Sequence, residues 1–301
     1  ILLIFLGSGV WVALSMIGVS AIGMLIFTTR PVGDAMATTI WGTSSSWTLT
    51  ALPLFVWMGE ILYRTKLSEN LFKGLAPWVS RLPGGLIHVN VVGCALFAAI
   101  SGSSAATVAT VGKMSIPELR KRNYPEKLLL GSLAGSGTLG LLIPPSIILI
   151  IYGVTVQESI AKLFIAGIIP GIMIAIFFML YVIGWSIINK KKMPRVEESF
   201  SFSKKVKDSV QLLPVVILIT SVIGSIYVGI ATATEAASLG VVGALILSFF
   251  QKSLTKENFK LSLLGATKTS CMIAFILAGS SFLALAMGFT GIPRNLAIWI
   301  Q

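Results

Sequence analysis

The amino-acid sequence predicts an all-α, polytopic membrane protein, and three observations support this prediction. Hydrophobic residues make up 55% of the 301 residues and charged residues only 11%, with a mean hydropathy of +0.92. A soluble domain contains about 25% charged residues, so this chain lacks the charge to cover a water-facing surface. Apolar runs alternate with short charged stretches, and the length allows roughly seven to ten crossings of about 20 residues each. We therefore expect a single membrane domain over residues 1–301.

The apolar runs define the predicted segments. They fall at about residues 1–27, 47–63, 84–100, 104–119, 127–153, 160–189, 209–229, 233–250 and 267–289, and a further run begins near Asn295. The first run has neither a basic start nor a small-residue cleavage site, so it is predicted to be a retained span rather than a signal peptide. Residues 67–80 and 254–264 mix Lys and Glu with apolar residues at helical spacing. Both are predicted to be amphipathic helices on the cytoplasmic membrane surface.

The basic residues are concentrated in four stretches between these runs. Residues 64–81, 113–127, 190–207 and 252–268 contain 20 of the 23 Lys and Arg. If the runs cross the membrane alternately, all four stretches lie on one side. Cytoplasmic loops are enriched in Lys and Arg, so this side and the N-terminus are predicted to be cytoplasmic, in a bacterial inner membrane. The net charge of +12 is thus interpreted as a topology signal rather than as a sign of nucleic-acid binding.

Residues 84–119 are predicted to form a re-entrant helical hairpin. They begin and end on the predicted cytoplasmic side, and two short apolar arms flank a polar break at Ser101, Gly102, Ser103 and Ser104. Backbone at membrane depth must be satisfied by protein or by a water-filled cavity. A hairpin with its tip at the break meets this condition, and two thin full spans remain the alternative.

A second discontinuity is predicted in residues 127–153. Gly135, Gly137 and Gly140 precede Pro144 and Pro145 within this one apolar run. Proline removes a backbone donor and disfavours the α conformation in the residue before it. The pattern favours a broken helix, two half-helices joined by extended backbone, and a simple proline kink remains the alternative.

Both breaks expose polar backbone groups that can bind ions. C-terminal half-helix ends present carbonyl groups that suit Na⁺, and N-terminal ends present N–H groups that suit an anion. The predicted Na⁺ ligands are Ser101, Gly102, Ser103, Ser104, Gly137, Thr138, Gly140, Ile143 and Pro144. The predicted substrate-binding residues are Ser103, Ser104, Thr107, Pro145 and Ser146. Small residues in these segments could instead serve only close helix packing.

Charged residues near membrane depth are functional candidates because their burial in lipid is costly. Arg30 on the predicted external side and Glu60 near the end of its span are predicted to contact a partner or the substrate. A solvated loop charge and an interfacial carboxylate are the respective alternatives. Glu235 lies in Thr-Ala-Thr-Glu, a capping box that favours a helix start at Thr232.

A short motif recurs at a distance of 225 residues. Residues 65–71 (TKLSENL) and 290–296 (TGIPRNL) share T-x-[LI]-x-x-N-L, and each copy follows an apolar run and, further back, a Thr-rich turn at residues 38–46 or 232–234. Inverted repeats are typical of secondary transporters. Residues 267–301 are therefore expected to start a second repeat, whose hairpin and broken helix would lie beyond residue 301 and make this chain a fragment.

Several of these stretches resemble one protein family, the large membrane subunits of tripartite ATP-independent periplasmic (TRAP) transporters. The resemblance covers essentially the whole chain and is strongest in the hairpin and Pro-Pro blocks. The similar stretches are PLFVWMGEIL (53–62), FAAISGSSAATVATVG (97–112), GTLGLLIPPSIILIIYGV (137–154), KLFIAGIIPG (162–171) and TATEAASLGVVGAL (232–245).

The resemblance implies an elevator-type secondary transporter. A transport core at about residues 84–170 would move against a scaffold formed mainly by residues 1–63 and 180–250. The implied partners are a small four-helix membrane subunit and a periplasmic binding protein that delivers an organic acid, such as a C4-dicarboxylate or a sialic acid. Na⁺ would drive import, and the hairpin tip and broken helix would form the sodium site beside the substrate.

Other classes fit the sequence less well. A stand-alone sodium–carboxylate symporter with a similar hairpin is the closest alternative. An intramembrane enzyme would need convergent acid, base or metal residues, and the chain has one histidine, His88, and no paired intramembrane carboxylates. We therefore expect no enzymatic activity. A channel would need a polar pore stripe or selectivity ring, which the sequence does not contain.

Overall fold

The computed structural model describes residues 1–64, 67–194, 202–210 and 212–300, and every regular element in these ranges is helical. The α-helices follow one another as α1 (Leu2–Gly7), α2 (Val12–Phe27), α3 (Val32–Ser44), α4 (Ala51–Tyr63), α5 (Leu67–Val79), α6 (His88–Ser101), α7 (Ser104–Lys121), α8 (Glu126–Gly137), α9 (Ile147–Val156), α10 (Ile160–Ile188), α11 (Phe202–Val210), α12 (Leu213–Tyr227), α13 (Ala233–Phe250), α14 (Lys256–Phe289) and α15 (Ile292–Ile300). Short 3₁₀ turns cover Trp47–Thr50, Gly85–Ile87, Thr138–Leu141 and Lys190–Lys192.

The helices have the composition of a membrane protein. Within the described ranges, α10, α13 and α14 are long and apolar enough to cross a membrane, and five further apolar segments contain 10–17 residues. Helix α10 exposes large apolar side chains such as Ile169 and Phe177 along its length. Soluble proteins rarely expose apolar surfaces of this extent. The prediction of a helical membrane protein is confirmed at this level.

The single span predicted over residues 1–27 is wrong, because the structure divides this run into α1 and α2. The hydroxyl of Ser8 donates to the carbonyl oxygen of Phe5 at 2.8 Å, and Gly9 follows with φ +81°. A left-handed glycine directly after a helix is a common helix terminator. The hydropathy of the run hides this local stop signal.

The Thr-rich turn predicted at residues 38–46 is also wrong, because most of it belongs to α3. The hydroxyls of Thr38, Thr39 and Thr43 each donate to the backbone carbonyl four residues earlier, at 2.7–2.9 Å. Threonine side chains can satisfy themselves within a helix in this way, and their propensity for turns is then overridden.

The predicted surface helix at residues 254–264 and the predicted span at 267–289 form one continuous helix, α14. Gly265 and Ala266 separate the two predicted segments; alanine favours a helix, and a single glycine destabilises one by about 1 kcal/mol. That energy is too small to end a helix of 34 residues. The other predicted surface helix, at residues 67–80, corresponds to the separate helix α5.

The described residues form two compact units. The smaller unit comprises residues 1–50 and 267–301, and its core consists of Met24, Phe282 and Ala286 with partly buried neighbours. The larger unit, residues 51–266, contains both predicted discontinuities. In it, α4 packs along α13, and α6, α7 and α8 pack against one another.

Candidate functional site

Helices α6 and α7 form a helical hairpin. Gly93 faces Val111 and Ser101 faces Thr107 across the two arms, so the arms run antiparallel. The first arm has 14 residues and the second 18. At 1.5 Å per residue the first arm is about 21 Å long, shorter than the hydrocarbon core of roughly 30 Å. This length favours a re-entrant hairpin over two full spans.

Gly102 forms the turn at the hairpin tip. It adopts a left-handed conformation, with φ 58°, directly after the last residue of α6. Ser103 then caps α7, because its hydroxyl accepts a hydrogen bond from the backbone N–H of Ala106 at 3.4 Å. The hydroxyls of Ser101 and Thr107 lie 3.0 Å apart beneath the turn. The Ser-Gly-Ser-Ser sequence therefore supplies a helix end, a turn and a helix start in four residues.

The second discontinuity lies between α8 and α9. Helix α8 ends at Gly137, the 3₁₀ turn Thr138–Leu141 follows, and α9 begins at Ile147. The peptide bond between Pro144 and Pro145 is cis. The hydroxyl of Ser146 donates to the carbonyl oxygen of Leu141 at 2.7 Å and closes the non-helical segment.

The hairpin tip and the broken helix are in direct backbone contact. The N–H of Ile147, at the start of α9, donates to the carbonyl oxygen of Gly102 at 3.2 Å. A Cβ atom on Gly102 would lie 2.5 Å from the carbonyl oxygen of Pro145, and one on Gly140 would lie 2.8 Å from the nitrogen of Ser104. Glycine at both positions is therefore required for the two backbones to approach this closely.

Four helix ends meet at this contact. The C-terminal ends of α6 and α8 direct backbone carbonyls toward the breaks, and the N-terminal ends of α7 and α9 direct backbone N–H groups toward them. Carbonyl ends carry partial negative charge and N–H ends carry partial positive charge. The arrangement thus offers oxygen donors for a cation next to N–H donors for an anion.

The hydroxyl of Ser104 is the polar side chain at the tip that has no hydrogen bond. Its Oγ atom is buried and has no partner among the described residues. A buried hydroxyl without a partner is destabilising by about 1–3 kcal/mol, so such a group calls for an explanation. A cation bound by hydroxyl and carbonyl oxygens would supply the missing interaction.

The donor atoms at the contact fit a hard monovalent cation. Within the described ranges there is no group of three or more His, Cys, Asp or Glu side chains that could hold a metal ion. The contact instead offers hydroxyl and backbone carbonyl oxygens, the ligand type that discontinuous helices provide for Na⁺.

Helix α10 packs against the broken helix. A Cβ atom on Gly167 would lie 2.6 Å from the carbonyl oxygen of Leu142, and one on Gly171 would lie 2.9 Å from Cγ1 of Ile143. The two glycines are one helical turn apart, so α10 presents a smooth face to the break. Neither residue was predicted to lie at the site, although their G-x-x-x-G spacing is a sequence signal for close helix packing.

A third glycine brings α4 against the hairpin tip. A Cβ atom on Gly59 would lie 3.0 Å from Cα of Ser101 and 3.2 Å from the carbonyl oxygen of Ile100. This contact was not predicted from the sequence either. No local pattern around Gly59 shows which helix it faces, so the residue could not have been found from the sequence alone.

Comparison with known proteins identifies the family. The profile of the "Tripartite ATP-independent periplasmic transporter, DctM component" matches residues 1–301. The chain belongs to this family. The C4-dicarboxylate TRAP transporter large permease protein DctM of Pseudomonas aeruginosa is 32% identical over 281 residues, which cover 93% of this chain and 65% of that protein. The sialic acid TRAP transporter large permease protein SiaM of Vibrio cholerae is 31% identical, over 96% of this chain and 67% of SiaM.

A longer relative carries a composite name. The isethionate TRAP transporter permease protein DctMQ of Oleidesulfovibrio alaskensis is 31% identical over 98% of this chain, which corresponds to 46% of DctMQ. This chain spans about two thirds of the length of the DctM and SiaM permeases. These relatives are transporter permeases, and the expectation that the chain is not an enzyme agrees with them.

In this TRAP family chain, most predicted ligand positions lie in the two breaks that contact each other. Ser101, Gly102, Ser103 and Ser104 form the hairpin tip, and the backbone of Gly140 lies against it. The side chain of Val108 occupies the place where a Cβ atom of Gly137 would lie. Ile143, Pro144 and Pro145 follow in the non-helical segment.

Most of the predicted hydroxyls already have hydrogen-bond partners in the protein. Thr107 is fully buried against Ser101, and Ser146 is bonded to Leu141. Thr138 is exposed, and its hydroxyl donates to the carbonyl oxygen of Gly135 at 2.7 Å. The lone pairs of these hydroxyls remain available as acceptors, and their assignment to sodium or substrate stays a prediction.

The two charged candidates have local partners. Glu60 forms an ion pair with Arg64 at 3.1 Å, and its carboxylate lies against Gly265 of α14. The guanidinium of Arg30 lies 4.2 Å from the ring centroid of Phe289. These contacts account for the side-chain positions, and a role for either residue in binding a partner or substrate stays a prediction.

The predicted capping box is confirmed. The carboxylate of Glu235 accepts from the backbone N–H of Thr232 at 2.8 Å, and the hydroxyl of Thr232 accepts from the backbone N–H of Glu235 at 3.3 Å. Both groups are used at the start of α13, which favours the structural interpretation of this carboxylate over a functional one.

Proposed function

We propose that this chain is part of the large permease subunit of a TRAP transporter that imports an organic acid by Na⁺ symport. The observation that supports this most directly is the contact between the hairpin tip and the broken helix, where the N–H of Ile147 meets the carbonyl oxygen of Gly102. Two discontinuous segments that bind each other form a site that a coupling ion can order as a unit.

Sodium is proposed to bind at the hairpin tip and the adjoining break. The ligands would be drawn from Ser101 to Ser104 and from the carbonyls between Gly137 and Pro144. The buried, unpartnered hydroxyl of Ser104 supports this assignment. A sodium ion there would satisfy that oxygen and neutralise the negative ends of α6 and α8.

The substrate is proposed to be an organic acid of the C4-dicarboxylate or sialic acid type. The names of the relatives DctM and SiaM specify these two classes. The N-terminal ends of α7 and α9 would face the carboxylate, with Ser103, Ser104, Thr107, Pro145 and Ser146 around it. Helix N-termini bind anions through their free N–H groups, which supports this orientation.

Transport is proposed to follow an elevator mechanism. The core, at about residues 84–170, would slide against a scaffold formed mainly by residues 1–63 and 180–250. The smooth contact at Gly59, where α4 meets Ser101 without an intervening side chain, supports a sliding boundary. Large side chains would interlock there and resist movement.

The proposed partners are a small four-helix membrane subunit and a periplasmic binding protein. The composite name of the relative DctMQ supports a second membrane subunit. The proposed location is the bacterial inner membrane, with the N-terminus in the cytoplasm, because the basic stretches would then lie inside.

Uptake into proteoliposomes tests the proposal. The full-length permease and its small subunit would be reconstituted and given a panel of labelled organic acids, with and without an inward Na⁺ gradient and the binding protein. We expect uptake to require both. Uptake with Na⁺ alone would support a stand-alone symporter, and uptake indifferent to Na⁺ would contradict the sodium assignment.

A further inference from the structure

Three of the basic stretches meet at one end of the larger unit. The indole N–H of Trp78, in the first stretch, donates to the hydroxyl of Ser209, just after the third, at 2.7 Å. The backbone N–H of Leu86, just after the first stretch, donates to the hydroxyl of Tyr124 in the second at 3.0 Å. These contacts bring residues that are far apart in sequence to the base of the hairpin.

Helices α5 and α11 pack together at this end as a pair. The hydroxyl of Ser209 joins them, because it accepts from Trp78 and lies 3.5 Å from the carbonyl oxygen of Gly74. The ammonium group of Lys205 lies 5.6 Å from the ring centroid of Trp78. Both helices are thus fixed to each other by polar contacts at one junction.

The α5–α11 pair has one buried and one exposed face. Leu75, Ala76 and Val79 of α5 are at most 9% exposed and face the interior. The exposed apolar side chains on or beside the pair are Trp78, Leu82, Val206 and Val210, which are 37–57% exposed. Three lysines lie on the same two helices: Lys73 and Lys207 are exposed, and Lys205 is partly exposed. Half-exposed apolar groups between lysines are typical of a helix that lies in a membrane interface.

We propose that the α5–α11 pair binds the headgroups of anionic phospholipids. The charged side chains that the structure describes on the two helices, Lys73, Lys205 and Lys207, are all cationic. The sequence of α11 contains three lysines and one aspartate. Anionic headgroups attract such lysines, while the apolar side chains insert between the acyl chains.

A lipid fits this surface better than a soluble anion does. A small soluble anion would use the lysines and leave Trp78, Val206 and Val210 in water. Helix α12, which contacts α11, exposes the apolar side chains of Leu213 and Ile217, so the membrane adjoins the pair. The pair also flanks the predicted core in sequence, because α5 precedes residue 84 and α11 follows residue 170.

Native mass spectrometry of the purified full-length permease, alone and with its small subunit, tests the proposal. Phosphatidylglycerol would be titrated against phosphatidylcholine, and the ratio of bound lipids recorded. We expect the wild type to prefer phosphatidylglycerol. In K205Q/K207Q this preference should fall about fivefold for each lysine neutralised. The readout is lipid binding, so it does not depend on the proposed transport function.

The variant K162Q/R294Q serves as the matched control. It removes the same charge from two exposed basic residues, at the start of α10 and on α15, that lie outside the four basic stretches. We expect its lipid preference to equal that of the wild type. Unchanged preference in K205Q/K207Q, or equal loss in both variants, would contradict the proposal. Phosphatidylglycerol binding that disappears when the small subunit is added would assign the surface to a protein partner and would also contradict it.

Discussion

Glycines in two regions of this molecule lie in opposite surroundings. At Gly102 and Gly140, in the contact between the two breaks, a Cβ atom would collide with neighbouring backbone. At Gly23, Gly33 and Gly42, in α2 and α3, no heavy atom apart from the adjoining backbone of the same helix lies within 4 Å of the place where a Cβ would be. In the first region glycine is required for the two backbones to approach each other closely, and in the second a larger residue would fit. The 29 glycines of the chain therefore do not share one structural role.

The largest effect is expected for Gly102→Ala. Its left-handed conformation disfavours alanine by about 1–2 kcal/mol, and the methyl group would press against the carbonyl oxygen of Pro145, which adds roughly 1–3 kcal/mol. We expect a lower unfolding temperature for the purified full-length protein and at least a tenfold loss of uptake. Gly23→Ala is the matched control and should be neutral or slightly stabilising. Equal effects of the two substitutions would remove the distinction between the regions.

A smaller effect is expected for Gly59→Ala. The added methyl group would lie 3.0 Å from Cα of Ser101, so α4 or the hairpin tip must shift, at about 1–3 kcal/mol. Uptake should fall more than sodium binding does, since the substitution affects the proposed sliding contact rather than the ligands. Gly224→Ala in α12, where a Cβ has open space, should leave uptake unchanged. Normal uptake by Gly59→Ala would argue against a sliding boundary at this contact.

Tyr124 extends the comparison from glycines to a buried side chain. Its hydroxyl accepts the backbone N–H of Leu86, and Tyr124→Phe would leave this N–H buried without a partner. We expect a loss of about 1–3 kcal/mol in the free energy of unfolding, measured by denaturant titration. Tyr181→Phe on the exposed side of α10 is the control, with an expected change within about 0.5 kcal/mol. Equal stability of the two variants would show that the loop contact contributes nothing.

The smallest effect is expected for an exposed ion pair. The side-chain hydrogen bond from Arg120 lowers the pKa of Glu126, the first residue of α8, just before the predicted apolar run 127–153. A carboxyl whose pKa is lowered on folding stabilises the protein above its unfolded pKa, and this contribution is lost as the pH falls through the folded pKa. Glu126→Gln should lower the unfolding temperature slightly at pH 7, and the difference should shrink toward pH 4. A difference that is constant with pH would exclude the ion pair as its cause.

Local sequence was sufficient to locate both discontinuities. Ser-Gly-Ser-Ser contains its own helix end and N-cap, and the adjacent prolines remove backbone donors, so α6 ends at Ser101 and α9 begins only at Ile147. These features depend on interactions between residues close in sequence.

The contacts that assemble the candidate site could not be derived in this way. Gly59 meets Ser101, and Gly167 and Gly171 meet the broken helix, only because of how distant helices pack. Hydropathy also failed to predict two local features. The threonine hydroxyls of α3 bond to backbone carbonyls of their own helix, and α1 ends just before the left-handed Gly9. Helix contacts and helix ends of this kind are determined by tertiary packing and by side-chain-to-backbone hydrogen bonds. Neither can be detected in the spacing of apolar residues.

The proposed sodium site is tested most directly by the sodium dependence of thermal stability in Ser104→Ala. Its control is Ser115→Ala, which removes another buried hydroxyl without a described partner from α7, three turns from the tip. Without sodium, neither variant should be less stable than the wild type, because each loses an unsatisfied group. With sodium, we expect Ser104→Ala alone to need about tenfold more Na⁺ for half-maximal stabilisation. An unchanged sodium midpoint in Ser104→Ala would contradict the assignment of Na⁺ to the hairpin tip.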